Sequence, residues 1–292
     1  MPAPFPQLNP HKEIPAMSTL TLATPRSAEA VPNRTTGQIA SVLPIAKRQL
    51  LKFLRTPQLV VWSTLQGAMF LLIFRYVFGG AIRSSGLSYV DFLVPGFVAT
   101  SVLFNGMGAA TGIADDMQQG FIDRLRSLPI PRSSVLVGRA VADVVLVAWS
   151  LVVTTGIGFA VGFRLHGSIG AGLGALALCL LFGFAFEWVF IALGMMAGNA
   201  QAAQGIGFMV FPLTFVSSAY VPTSSMPGWM QAFANHQPIT YMVDSVRALA
   251  SGPATRHALG HPASYFVVWA LVWSAIIIGA FAPLAVARYR KG

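Results

Sequence analysis

The chain has 292 residues, of which 55% are hydrophobic and only 10% charged, with a mean hydropathy of +0.66. Soluble domains carry about 25% charged residues, and one water-soluble core cannot hide this much apolar surface. That argues against a soluble enzyme, a DNA-binding domain or a disordered chain. The net charge of +10 therefore points to basic loops facing the cytoplasm rather than to nucleic acid, and the single cysteine, Cys179, excludes an internal disulfide framework.

Residues 1–37 are rich in Pro, Ser and Thr and lack a sustained apolar run. They read as a disordered cytoplasmic tail rather than a signal peptide, and Met17 is a plausible alternative start. Ser41–Thr56 follows, with Val42, Leu43, Ala46, Leu50, Phe53 and Leu54 at helical spacing and Lys47, Arg48, Lys52 and Arg55 between them. This pattern predicts a basic amphipathic helix lying on an anionic membrane face, or packed on its own protein.

Six apolar segments come next: Leu59–Phe78, Tyr89–Ala114, Val135–Gly162, Ile169–Gly198, Ala202–Tyr220 and Ala263–Val286. Each approaches or exceeds the roughly 20 residues a helix needs to cross a bilayer, and none alternates with a period of two. The expected fold is an all-α integral membrane protein with six transmembrane helices. With the N-terminus inside, 14 of the 19 basic residues fall on the inner side, and Arg75, Arg83, Arg164, Arg247 and Arg256 fall toward the outer side. Both termini are then expected in the cytoplasm, in a cell inner or plasma membrane.

Familiar enzyme motifs are missing. None of the four lysines is followed by Ser or Thr, so there is no Walker A phosphate cradle. His257 and His261 are four apart, but Pro262 follows and no acidic partner lies near, so no metal site is expected. Gly108/Gly112, Gly158/Gly162, Gly170/Gly174 and Gly194/Gly198 follow small-xxx-small spacing, which predicts close helix packing.

Four ionisable residues fall in or near the spans. Arg75 and Asp91 lie near span ends and could snorkel or pair, and Asp143 lies one turn from Arg139. Glu187 sits mid-span with no basic residue close in sequence. A buried charge there is costly, so Glu187 reads either as part of a translocation path or as a hydrogen-bonded packing contact.

Two polar segments carry more information. In Asp115–Arg132, Met117, Phe121, Leu125 and Leu128 form one apolar stripe, Asp123, Arg124 and Arg126 lie off it, and Pro129 and Pro131 end the helix. Periodicity fits equally a helix docking into a groove on a soluble partner and a loop resting on headgroups. After the fifth span, Trp229, Met230 and Phe233 form one cluster, and Tyr241, Met242, Ser245, Val246 and Leu249 a second. Two short interfacial helices are expected there, dipping into the outer leaflet around an Asn235–Pro238 turn.

Gly120–Arg132 with Gly138-Arg139, Phe92–Gly96, and Asn235–Pro238 with Arg247-Ala-Leu occur in an order and spacing that resembles the permease subunit of ABC-2-type exporters, in the daunorubicin/multidrug-resistance branch (drug or lipid exporters). The resemblance covers about residues 41–290. Gln119 stands where many members have an acidic residue, and His236-Gln237 is inserted into the usual Asn-Pro turn.

That resemblance implies roles. Residues 57–290 would be the transmembrane domain and Ser41–Thr56 its elbow helix. Gly120, Phe121, Asp123, Arg124, Leu125, Arg126 and Pro129 would belong to a cytoplasmic coupling helix that inserts into a separate ATPase subunit. Asn235, Pro238 and Arg247 would shape the outer turn. Two permease copies, or this chain with a homologous permease, would work with two ATPase subunits in membrane lipid. Those subunits would bind ATP and Mg, leaving this chain without a cofactor or enzyme activity. The cargo would be hydrophobic or amphipathic: a drug, a lipid or a secondary metabolite. The rival reading is an ion-coupled secondary transporter or channel that uses Glu187.

Overall fold

The computed structural model describes residues 51, 67–79, 88–122, 132–252, 255 and 259–291, all within one unit, Arg34–Gly292. The 1–37 tail and Ser41–Thr56, apart from the helical Leu51, lie outside the described residues, as do Asp123, Arg124, Leu125, Arg126 and Pro129. Among the described residues every regular element is helical.

Polar residues at the heads of apolar runs start several of these helices. α1 (Gly67–Phe78) is apolar and closes in a π-helical turn over Phe74–Phe78. Ser88 caps α2 (Tyr89–Gln118) by accepting from the Asp91 N–H at 3.2 Å, while its hydroxyl donates to Asp91 Oδ2 at 2.6 Å. Asp91 is thereby used at the helix start. α3 spans Arg132–Ala160. Ser168 caps α4 (Ile169–Ala197) and Asn199 caps α5 (Ala200–Gly207) in the same manner. A short α6 (Val210–Phe215) and a 3-10 turn at Thr223–Ser225 follow. α7 (Gly228–His236), α8 (Pro238–Ser251) and α9 (Ala263–Lys291) complete the order.

Among the described residues four helices, α2, α3, α4 and α9, are long and apolar enough to cross a membrane. At 1.5 Å per residue each is about 44 Å long, more than the ~30 Å hydrocarbon core requires. Of the first expected span, residues 59–66 lie outside the described residues.

The fifth expected span, Ala202–Tyr220, is not one helix. It breaks into α5 and α6 at Phe208-Met209 and ends in turns from Val216 to Tyr220. The cause is local: Pro212 has no N–H for the Phe208 carbonyl, which accepts instead from the Phe211 N–H at 3.0 Å.

α4 is the central helix and packs against α2, α3, α5, α8 and α9. One apolar cluster joins Leu93, Leu103, Phe182, Met242 and Val246 toward the α7–α8 end. A second joins Ile113, Ile122, Leu136, Ile191 and Tyr289 toward the Gln118 end. The second predicted interfacial helix, α8, is instead a core element, with every residue but Pro238 and Leu249 buried. It is α7 that turns outward, with Trp229 75% and Phe233 51% exposed. Of the paired glycines, Gly112, Gly158 and Gly194 sit at close helix contacts, where an added Cβ would strike Arg139, Val94 and the Ala110 carbonyl. Their partners face open space.

Candidate functional site

The expected coupling segment does not begin where the apolar stripe begins. α2 continues through Asp115, Asp116 and Met117 to Gln118. Gly120 then adopts φ +66°, a left-handed helix end that favours glycine, and its N–H bonds to the Met117 carbonyl at 3.0 Å. Helical geometry resumes at Phe121-Ile122. Ile122, rather than Phe121, is buried in the apolar cluster at this end, and Phe121 is half-buried. The proposed stripe is therefore cut at Gly120, with Met117 on one side and Phe121 on the other.

Glu187 is 3% exposed and lies close to Asp143 of α3, with its Oε1 buried and without a hydrogen-bond partner. Beside them Arg139 donates from Nη1 to Asp116 Oδ2 at 3.0 Å and from Nη2 to the Ala109 carbonyl at 3.3 Å. Its Nε stands 3.5 Å from Asp143 Oδ2 without hydrogen-bond geometry. The expected Arg139–Asp143 contact thus exists, but Asp116 of α2 is the stronger partner. No i,i+4 pattern could have found that pairing, because it spans 23 residues. Gly112 makes room for the guanidinium.

At the other end Arg247 is fully buried on α8. Its Nη1 donates to Asp244 Oδ1 at 2.6 Å, its Nε and Nη2 to the Phe92 carbonyl at 3.1 and 3.0 Å, and Nη2 also to the Ser218 carbonyl at 2.8 Å. The guanidinium lies 3.8 Å above the Phe92 ring, a cation–π contact. Ser218 donates to Asp244 at 2.8 Å. Burial lowers Arg247 to about 10 and raises the Asp244 carboxyl, both opposed by the attraction within the pair.

The same end holds the turn expected to face outward. Gly96 lets α2 approach the Ala219 carbonyl, which a Cβ would strike. Gln237 donates to the Leu213 carbonyl at 3.1 Å and to the Val216 carbonyl, satisfying the free end of α6. Pro238 opens α8 at its first turn. Asn235 is exposed and lines a cavity of about 430 Å³ with His236, Tyr241, His261 and Tyr265. Phe92–Gly96, Asn235–Pro238 and Arg247 thus converge on one end.

A further feature is an aromatic cleft of about 320 Å³ lined by Phe70, Phe97, Phe104, Phe208, Phe211 and Tyr220, with Gln204 as a polar member. Phe211 lies 5.1 Å from Phe104 and 6.3 Å from Phe70 between ring centroids. Tyr220 stacks on Phe74 at 5.1 Å, and its hydroxyl is 3.0 Å from Thr100 Oγ1. The sequence reading missed this cleft. Phe208, Phe211 and Phe215, at spacings of three and four, were the signal that could have found it.

With this geometry in hand, the chain can be set beside known proteins. A family model described as ABC-2 type transporter matches residues 41–250, and the chain belongs to that family. It is 32% identical over 271 residues to the daunorubicin resistance ABC transporter permease protein DrrB1 of Streptomyces coeruleorubidus, covering 92% of this chain and 93% of that one. It is 25% identical over 281 residues to the probable doxorubicin resistance ABC transporter permease protein DrrC of Mycobacterium tuberculosis, covering 92% and 97%. The inner membrane transport permease YadH of Escherichia coli is 24% identical over 209 residues, covering 68% and 78%. Family membership and four apolar helices long enough to span define an integral membrane permease subunit of the ABC-transporter class.

Proposed function

We propose that this chain forms half of the path by which an exporter moves hydrophobic or amphipathic cargo out of the cell. A second copy, or a homologous permease, supplies the other half, and two separate ATPase subunits that bind ATP and Mg supply the energy. The observation that carries this reading is the aromatic cleft between α1, α2 and α5–α6. Planar rings with one amide suit flat, apolar cargo carrying a few polar groups. The names of the relatives point the same way, toward daunorubicin and doxorubicin.

In this reading α1 and the broken α5–α6 unit complete a six-span domain over residues 57–290, with Ser41–Thr56 as its elbow. The chain sits in the plasma membrane with both termini in the cytoplasm. Phe121 begins the coupling helix, and Gly120 marks its junction with α2. α7 and the Asn235–Pro238 turn face outward.

Proteoliposomes holding the permease and its ATPase test the proposal by ATP-dependent accumulation of daunorubicin, read from its fluorescence. Accumulation that needs ATP and falls several-fold in Phe211→Ala supports it. Accumulation driven by a pH gradient alone, and lost in Glu187→Gln, would support the ion-coupled rival instead.

A further inference from the structure

The cavity of about 430 Å³ at the α7–α8 end has a different surface from the aromatic cleft. The cleft has Gln204 as a polar member, whereas the cavity is ringed by the side chains of Thr223, Ser224, Asn235, His236, Asp244 and His261. Ser224, Asn235 and His261 are exposed and make no side-chain hydrogen bond to any described residue. His236 donates from Nδ1 to the Ala232 carbonyl at 2.8 Å, which leaves Nε2 of the neutral ring an acceptor. The Asp244 side chain is only 9% accessible. Its Oδ1 takes Arg247 Nη1 at 2.6 Å and Ser218 Oγ at 2.8 Å. Its Oδ2 accepts from no described residue and is the carboxylate's open atom on the cavity.

An aromatic wall completes the site. Tyr241 and Tyr265 both line it, with ring centroids 6.3 Å apart. Trp269 backs Tyr241 at 5.6 Å, and His261 stacks on Tyr265 at 4.3 Å, so the rings are held in place. The charge balance narrows the ligand class. Asp244 is already paired with Arg247, so a cationic ligand would enter beside a guanidinium and an anionic one beside a carboxylate. A neutral ligand with many hydroxyls meets neither repulsion. Its O–H groups donate to Asp244 Oδ2 and His236 Nε2, its oxygens accept from the Asn235 amide, and its C–H face rests on the electron-rich faces of the tyrosines.

Depth narrows it further. α9 opens at Ala263, so Tyr265 lies about 3 Å from the helix end. A helix of about 44 Å centred on a ~30 Å hydrocarbon core extends about 7 Å beyond it at each end, which sets the cavity at headgroup depth. Phe92 and Phe266 carry its lining on as apolar surface. We propose that this cavity binds the sugar headgroup of an amphiphile, with the ring against Tyr241 and Tyr265 and the hydroxyls on Asp244, Asn235 and His236. The site rests on the chain being an integral membrane permease and not on which cargo fills the aromatic cleft or on what drives export.

Saturation-transfer NMR on the full chain in phosphatidylcholine nanodiscs tests it, with no ATPase and no drug present. The probes are the methyl glycosides of glucose, galactose and mannose, which do not partition into lipid. At least one should show saturation of its ring protons above that in empty nanodiscs. The octyl glycoside of the same sugar should displace it at a concentration at least tenfold lower than the methyl glycoside needs, and octyl phosphocholine should not displace it. Asn235→Ala/His261→Ala, a change of two exposed side chains, should lower the signal several-fold at an unchanged thermal midpoint. Ring-proton saturation by none of the three sugars overturns the proposal, as does a signal unchanged in the double variant. Displacement by octyl phosphocholine as strong as by the octyl glycoside would mean that the tail, not the sugar, is recognised, and equal potency of methyl and octyl glycosides would overturn the assignment to an amphiphile.

Discussion

Arg247 shows what one buried cation does when its donors are nearly all spoken for. It joins Phe92 on α2, Ser218 in the turn after α6 and Asp244 on its own helix. Removing it leaves a buried carboxylate and two carbonyls without their donor, a loss of about 3–5 kcal/mol for a broken buried pair. Arg247→Met should therefore lower the thermal midpoint in detergent sharply. Arg247→Lys should rescue little of it, since one ammonium cannot reproduce the planar fork. A midpoint within a degree or two of wild type in Arg247→Met would refute the staple. The sequence marked Arg247 as an outer-side charge and part of a motif, but its role depends on a contact 155 residues away, which spacing cannot carry. Glu187 stands out because local sequence offers it no partner, and its neighbour Asp143 lies on another helix.

Among the elements, the broken fifth segment depends on a side chain that composition would class as a polar insertion. Gln237 gives its amide to the Leu213 and Val216 carbonyls, which α6 leaves open where it stops. Gln237→Glu replaces a donor with an acceptor facing two acceptors and should cost about 1–3 kcal/mol. Gln237→Ala removes the donor without adding repulsion and should cost less. Thermal midpoints of the two variants check this, and equal effects would mean the amide is not what holds the end of α6. Long apolar runs made α2, α3, α4 and α9 readable to within a few residues. α8 was misplaced because its burial depends on the Asp244–Arg247 pair neutralising a helix that reads as amphipathic. The break in the fifth segment was visible in principle at Pro212, but hydropathy averages over it.

At the scale of the whole molecule, the charges divide into two kinds. Arg139 and Arg247 are buried fasteners inside the bundle, and removing them from the tally leaves 13 basic residues on the proposed inner side against 4. Much of that excess lies before the first span and around the segment after Gly120, which is where an energy-supplying partner would have to engage. In the proposed reading that engagement would reach the bundle through Phe121-Ile122: Ile122 is anchored in the apolar cluster with Ile113 and Leu136, while half-buried Phe121 begins the stretch beyond it. Substitution at Phe121 and Leu125 should then spare folding, which rests on Ile122 and the long helices, and cut transmission. In proteoliposomes with the ATPase subunit, Phe121→Ala/Leu125→Ala should insert at the wild-type level and keep the wild-type thermal midpoint, yet lose most cargo-stimulated ATP hydrolysis. Ile122→Ala should do the reverse, losing about 2–5 kcal/mol of packing and so lowering the midpoint before any effect on coupling appears. Full stimulation in the double variant would move the coupling contact elsewhere, to the basic residues of Ser41–Thr56 or beyond Pro129.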